Sequence, residues 1–127
     1  MDWIDDTVAV GNWIDGVSAQ RRRNEDVDLI IDSRVLFTKS IIPDRRLPLV
    51  EKLLQTSNWL VEISSQRPRV LIYCNQGRDR SAFVAMLYVS KRYGISYQKA
   101  YGLVKSKRKQ AVFHWEWAEA IDRARTH

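Results

Sequence analysis

The chain has 127 residues, 21 Lys and Arg against 15 Asp and Glu for a net charge of +6, 45% hydrophobic residues, five tryptophans and one cysteine. That composition fits one globular domain over 1–127 with a single core, and the lone cysteine excludes an internal disulfide framework and suits a reducing, cytoplasmic setting. No run is long and apolar enough for a membrane span or a signal peptide, and two distant histidines, His114 and His127, give no metal-ligand spacing, so no metal or other cofactor is expected.

In chain order, Thr7-Val8-Ala9-Val10 reads as a short strand closed by Gly11-Asn12, and Ser18 to Arg23 as a short helix. Val27 to Ile31 reads as a second strand, expected to be central. Residues 33 to 47 read as a loop holding Pro43 and the pair Arg45-Arg46. A helix is predicted from Pro48 to Gln66, where Leu49, Val50, Leu53, Leu54, Leu60 and Val61 recur at helical spacing. Val70 to Tyr73 is a third, buried strand. The helix from Ser81 to Tyr93 is apolar almost all round in its first half, so it should be the most buried, with Gly94 as its stop. Ser96 caps a helix to Arg108, and Phe113 to Ala124 makes the last one. This alternation predicts an α/β fold, a small and mainly parallel central sheet flanked by helices. The tryptophans are expected in the core. His114, among Phe113, Trp115 and Trp117, reads as a packing or surface residue.

The positive charge suggests anionic partners. It gathers at Arg21-Arg22-Arg23, at Arg45-Arg46, and at Lys105, Lys107, Arg108 and Lys109. The plain reading of such runs is a solvated face. Arg45 and Arg46 stand out because they flank a candidate catalytic loop. Charge alone also admits nucleic acid, a disfavoured partner because it would leave Cys74 without a use.

Cys74 opens the segment Tyr73-Cys74-Asn75-Gln76-Gly77-Arg78-Asp79-Arg80-Ser81, between the third strand and the most buried helix. A loop at the carboxyl end of a strand is where open α/β sheets bind ligands. Backbone N–H groups turned inward from Asn75 to Arg80, together with the helix start, make an anion site sized for phosphate or another oxyanion. The same field favours thiolate over thiol at Cys74. Arg80 can grip two phosphate oxygens with its planar fork, which a lysine could not do.

A cysteine, five residues, then Arg-Ser at a strand–loop–helix junction resembles the signature of the cysteine-dependent protein tyrosine phosphatases, most closely their small dual-specificity branch. Trp3 to Gly11 and Ala100 to Arg108 resemble the N-terminal strand and the penultimate helix of that branch. The resemblance implies a phosphatase acting on phosphotyrosine, and on phosphoserine and phosphothreonine, in phosphorylated protein substrates. Cys74 would be the nucleophile of a phosphocysteine intermediate and Arg80 the phosphate clamp. Ser81 would help the thiolate leave. Asp44, after Pro43, would be the general acid and base, with Asp32 as rival and Asp79 as a weaker one. Nothing resembles the segment that deepens the pocket of the larger, tyrosine-specific branch.

Three positions depart from the family pattern. Tyr73 stands where a histidine is usual. Asp79 stands where Ser or Gly is common, and its charge would repel phosphate unless it turned outward, toward Arg78. Arg78 either favours acidic or multiply phosphorylated substrates or simply partners Asp79. Two alternatives follow: an RNA 5′-triphosphatase, from the basic surface, and a non-catalytic phosphate-binding module, from Tyr73 and Asp79.

Overall fold

The computed structural model describes residues 1–21, 26–42 and 45–125. Among these residues, four strands form one sheet in the order β1-β2-β4-β3: β1 (Asp2–Trp3), β2 (Val8–Gly11), β3 (Leu29–Asp32) and β4 (Val70–Tyr73). β4 pairs in parallel with β2 and with β3, and β1 adds antiparallel to the far side of β2. The sheet is mixed but mainly parallel.

Successive residues of β2 and β4 point to opposite faces. Val8, Val10, Val70 and Ile72 enter the larger core. Ala9, Leu71 and Tyr73 face the other way and pack with Ala19. On that smaller side lies α1 (Trp13–Gln20), capped by Asn12, whose side chain accepts from the Asp15 N–H. The larger side is covered by α2 (Val50–Ser64), α3 (Arg80–Tyr93), α4 (Tyr97–Lys107) and α5 (Trp115–Arg125), which supply Leu53, Leu60, Met86, Tyr88, Val104, Trp117 and Ile121 to the core. Helix α3 is buried continuously from Arg80 to Val89, and from Ala82 on that is what its largely apolar first half predicts. Gly94 ends it in the left-handed conformation at φ 63°, and Ser96 caps α4 by accepting from the Lys99 N–H.

Several expectations need correcting. The strand expected to be central, β3, is an edge strand, and Leu29 is exposed; β4 holds the centre. The first helix starts at Trp13 rather than Ser18, because the Asn12–Asp15 capping box outweighs the weak apolar pattern there; Arg22 and Arg23 lie outside the described residues. Residues 33 to 47 include a 3-10 helix, Ser33–Leu36, capped by Asp32. Pro48 is no helix start: it sits in an isolated bridge to Phe37, and α2 begins two residues later. Of the tryptophans, only Trp117 is fully buried, while Trp13, Trp59 and Trp115 are exposed.

Candidate active site

Cys74 follows the last residue of β4, and the loop to α3 is tied from outside. The carbonyl of Asn75 accepts from Trp13 N–H at 3.2 Å, and that of Arg78 accepts from Val112 N–H at 2.9 Å. The carbonyls of Gln76 and Gly77 accept from the Arg108 guanidinium at 3.3 and 2.5 Å. Four successive carbonyls thus face away from the loop's interior. A trans peptide points its N–H opposite its C=O, so the amides of residues 76 to 79 face inward. Gly77 makes the turn at φ 63°, and a Cβ there would collide with the Gly11 carbonyl and Arg108.

The amides face a cavity of about 120 Å³ lined by Arg46, Cys74, Asn75, Gln76, Arg78, Asp79 and Arg80. Cys74 Sγ lies 3.2 Å from Ser81 Oγ. Burial alone would raise the thiol pKa. The Ser81 hydroxyl and the N–H groups of Ser81, Gly77 and Arg78 outweigh it, and the thiol is held below its ordinary value. Arg80 is 8% exposed. Among the described residues, its Nε is the buried side-chain nitrogen or oxygen left without a hydrogen-bond partner. Burial, then the neighbouring charge of Arg46, lowers its pKa, yet a guanidinium stays protonated in a protein. A buried cationic donor without an acceptor, beside a polarised thiol and a nest of amides, can bind an oxyanion and present it to sulfur.

The three candidate acids have different fates. Asp44, with Pro43, lies outside the described residues. Asp32 is gripped by Arg34 through Nε–Oδ1 and Nη2–Oδ2 contacts of 2.9 Å each. Burial would raise its pKa, but the bonds from Arg34 dominate and hold it below the usual carboxylate value, which suits an ion-pair partner better than a proton donor. Arg34 also donates to Asn75 Oδ1 at 2.9 Å and so braces the loop. Asp79 turns outward: Oδ1 meets His114 Nε2 at 2.7 Å and Oδ2 meets Arg78 Nε at 3.3 Å. The bond to His114, against a smaller cost of burial, lowers the Asp79 pKa, and the same bond raises that of His114.

Tyr73, in place of histidine, points to the other face of the sheet. Its ring lies on Gly16, where a Cβ would come within 2.8 Å of it, and its hydroxyl accepts from Gln20 Nε2 at 3.4 Å. The Tyr73 carbonyl accepts from Ser33 Oγ at 2.7 Å, which fixes the strand end below the cysteine. A second hollow of about 590 Å³ adjoins the first; Arg80 lines both, and Arg34, Phe37, Lys39 and Leu49 continue it. Among the described residues no His, Cys, Asp and Glu cluster could hold a metal ion.

The chain matches the family described as dual specificity phosphatase, catalytic domain, over residues 17–121. It belongs to that family. Human DUSP28 shares the fold with a TM-score of 0.75 at 21% identity, over 99% of this chain and 98% of that one. Tk-PTP, solved in its active form, gives 0.69 at 24% identity over 95% and 92%. The human tyrosine phosphatase-like serine/threonine/tyrosine-interacting protein gives 0.75 at 13% identity over 99% and 95%. A comparison with curated proteins finds no match. Family membership supports phosphatase activity in general, on phosphorylated substrates. No helix among the described residues is long and apolar enough to cross a membrane.

Sequence reasoning missed three contributors. Arg108 is read as part of a solvated run, yet it is 4% exposed and bonded to the loop. His114 does pack, stacked on Trp117 at 3.9 Å, but it also binds Asp79. Trp117 donates from Nε1 to the Arg46 carbonyl at 3.0 Å, tying the segment that follows Asp44 to α5. The only signal in the sequence was the unusual density of aromatics around His114.

Proposed function

We propose that the chain, working as one domain, is a phosphoprotein phosphatase that hydrolyses phosphotyrosine, phosphoserine and phosphothreonine monoesters through a phosphocysteine intermediate. The observation that carries this reading is the convergence on one small cavity of inward amides, a polarised Cys74 and an Arg80 Nε that has no partner among the described residues. The Cys74 thiolate attacks phosphorus in line, and the P–O bond to the substrate breaks. Asp44 gives its proton to the leaving oxygen. Arg80 and the loop amides from Asn75 to Arg80 hold the equatorial oxygens. Water then attacks the phosphocysteine with Asp44 as base, the S–P bond breaks, and the Ser81 hydroxyl stabilises the departing thiolate. The role of Asp44 rests on the family resemblance and its place in the sequence.

The test is hydrolysis of p-nitrophenyl phosphate by the wild type and by Cys74→Ser. Turnover in the wild type and none in the variant supports the reading; equal turnover in both sinks it. The binding-module alternative draws on Tyr73 and Asp79. Against it, the Asp79 carboxylate is engaged by His114 and Arg78, so it need not repel a phosphate. The RNA 5′-triphosphatase alternative would release phosphate from 5′-triphosphate RNA and leave phosphotyrosine peptides intact. A cytoplasmic setting belongs to the same proposal, resting on the lone reduced cysteine.

A further inference from the structure

Arg108 caps the end of α4 and turns inward from a basic surface run. Its Nε donates to the Gly77 carbonyl at 2.5 Å and its Nη2 to the Gln76 carbonyl at 3.3 Å. Its Nη1 reaches the Val10 carbonyl at 3.3 Å and Asp2 Oδ2 at 2.9 Å. One planar fork therefore joins two successive loop carbonyls to β2 and, through a half-exposed carboxylate, to β1. Because each peptide is planar and trans, fixing the Gln76 C=O aims the Gly77 N–H, and fixing the Gly77 C=O aims the Arg78 N–H. These two amides are among the backbone donors to the Cys74 sulfur.

We infer that Arg108 is a positioning residue of the phosphate loop: acting through the carbonyls of Gln76 and Gly77, it points two amides at the sulfur and at any phosphate bound there. Asp2, carried in by the short antiparallel strand, holds the guanidinium plane. A lysine would keep the charge but, as a point donor, could not bridge both carbonyls. The inference rests on the proposed use of Cys74, but its signature does not require turnover.

The experiment is alkylation of Cys74, the sole thiol of the chain, by iodoacetamide as a function of pH. Ser81, against the sulfur, and the charged groups that line the same cavity, Arg46, Arg78, Asp79 and Arg80, stay unchanged. In Arg108→Lys the alkylation midpoint moves up, and the rate at mildly acidic pH falls about tenfold, the scale of a lost hydrogen bond to a charged group. The alkaline plateau is unchanged, because the thiolate is then fully formed. Asp2→Asn gives a shift of the same sign and about twofold size, since the loop bonds remain while their anchor weakens. An unchanged midpoint in folded Arg108→Lys overturns the inference and leaves Arg108 a structural tie. If that variant does not fold, an unchanged midpoint in Asp2→Asn overturns it instead. Failure of the phosphatase reading would look different: no hydrolysis by the wild type, with the Arg108→Lys midpoint still displaced.

Discussion

Helix α3 begins with Arg80, which is buried, and carries Arg92, which is partly buried, in its last turn. At the C-terminal end, Arg92 Nη1 donates to Asp5 Oδ2 at 2.7 Å, to Asp6 Oδ1 at 2.9 Å and to the Tyr88 hydroxyl at 2.6 Å. Tyr88 and Tyr93 also donate to Asp5, which accepts from the Thr7 and Val8 amides besides. Both oxygens of the Asp5 carboxylate are used there. Burial would raise the Asp5 pKa, but its many donors keep it low; burial, with the bond to Asp5, pushes Tyr93 up to about 12. At the N-terminal end, Arg80 is more deeply buried, and its Nε has no hydrogen-bond partner among the described residues. A satisfied network fixes the fold, whereas a buried donor without a partner costs stability and leaves a hydrogen bond open to a ligand.

The largest effect is expected at Cys74. Cys74→Ser should lower turnover of a phosphotyrosine peptide by at least about a thousandfold while leaving tungstate binding and the unfolding midpoint intact. Retained turnover would show that the open end is not catalytic. Next, Arg80→Lys should lower kcat/KM by roughly a hundredfold or more, because one donor of a preorganised oxyanion site is typically worth that much. Arg92→Met should do the reverse: kcat/KM within about twofold, and unfolding in urea easier by about 2 kcal/mol, as Asp5 loses a charged partner. If Arg92→Met were the more damaging to turnover, the distinction between the two ends would be lost.

Asp44→Asn should cost about a hundredfold with phosphotyrosine and less with an activated leaving group, which needs no proton. Asp32→Asn should lack that leaving-group dependence, since the Asp32 carboxylate serves Arg34. The same pattern in Asp32→Asn and not in Asp44→Asn would exchange their roles.

The smallest effect belongs to the His114–Asp79 pair. The folded His114 pKa is raised, so its contribution to stability is fully present below the unfolded value and is lost as pH rises through the folded one. Asp79 is lowered, so its share is present above its unfolded value and lost as pH falls through the folded one. The difference in unfolding free energy between wild type and His114→Gln should be about 1 kcal/mol between those limits, in mildly acidic solution, and shrink on either side. A difference that is flat from acid to alkaline pH would mean that stacking on Trp117, not the ion pair, is what His114 contributes.

Much of this was legible in one dimension where the signal is local. Apolar runs with sharp stops gave β2, β4 and α3, and Ser96 and Gly94 marked helix ends through their own side chain or lack of one. Where partners are distant, local pattern misled. Val27 to Ile31 is as apolar as a central strand, but β3 pairs on one side only. Arg108 looks like its neighbours Lys107 and Lys109, and nothing within a few residues of it says that the Gln76 and Gly77 carbonyls lie beside its guanidinium.

By itself the sequence determined the α/β alternation and the loop from Cys74 to Ser81. The spacing of cysteine, glycine, arginine and serine is short-range information, and a strand running into a helix over so few residues allows little else. Tertiary structure alone decided what surrounds that loop. Trp13, Arg108 and Val112 reach it from α1, the end of α4 and the chain before α5 and turn its carbonyls outward, His114 takes the Asp79 carboxylate, and Arg34 of the 3-10 helix braces the Asn75 side chain. The physical reason is that a loop has no hydrogen-bond ladder of its own, so the direction of each amide is set by whichever distant group takes the carbonyl behind it.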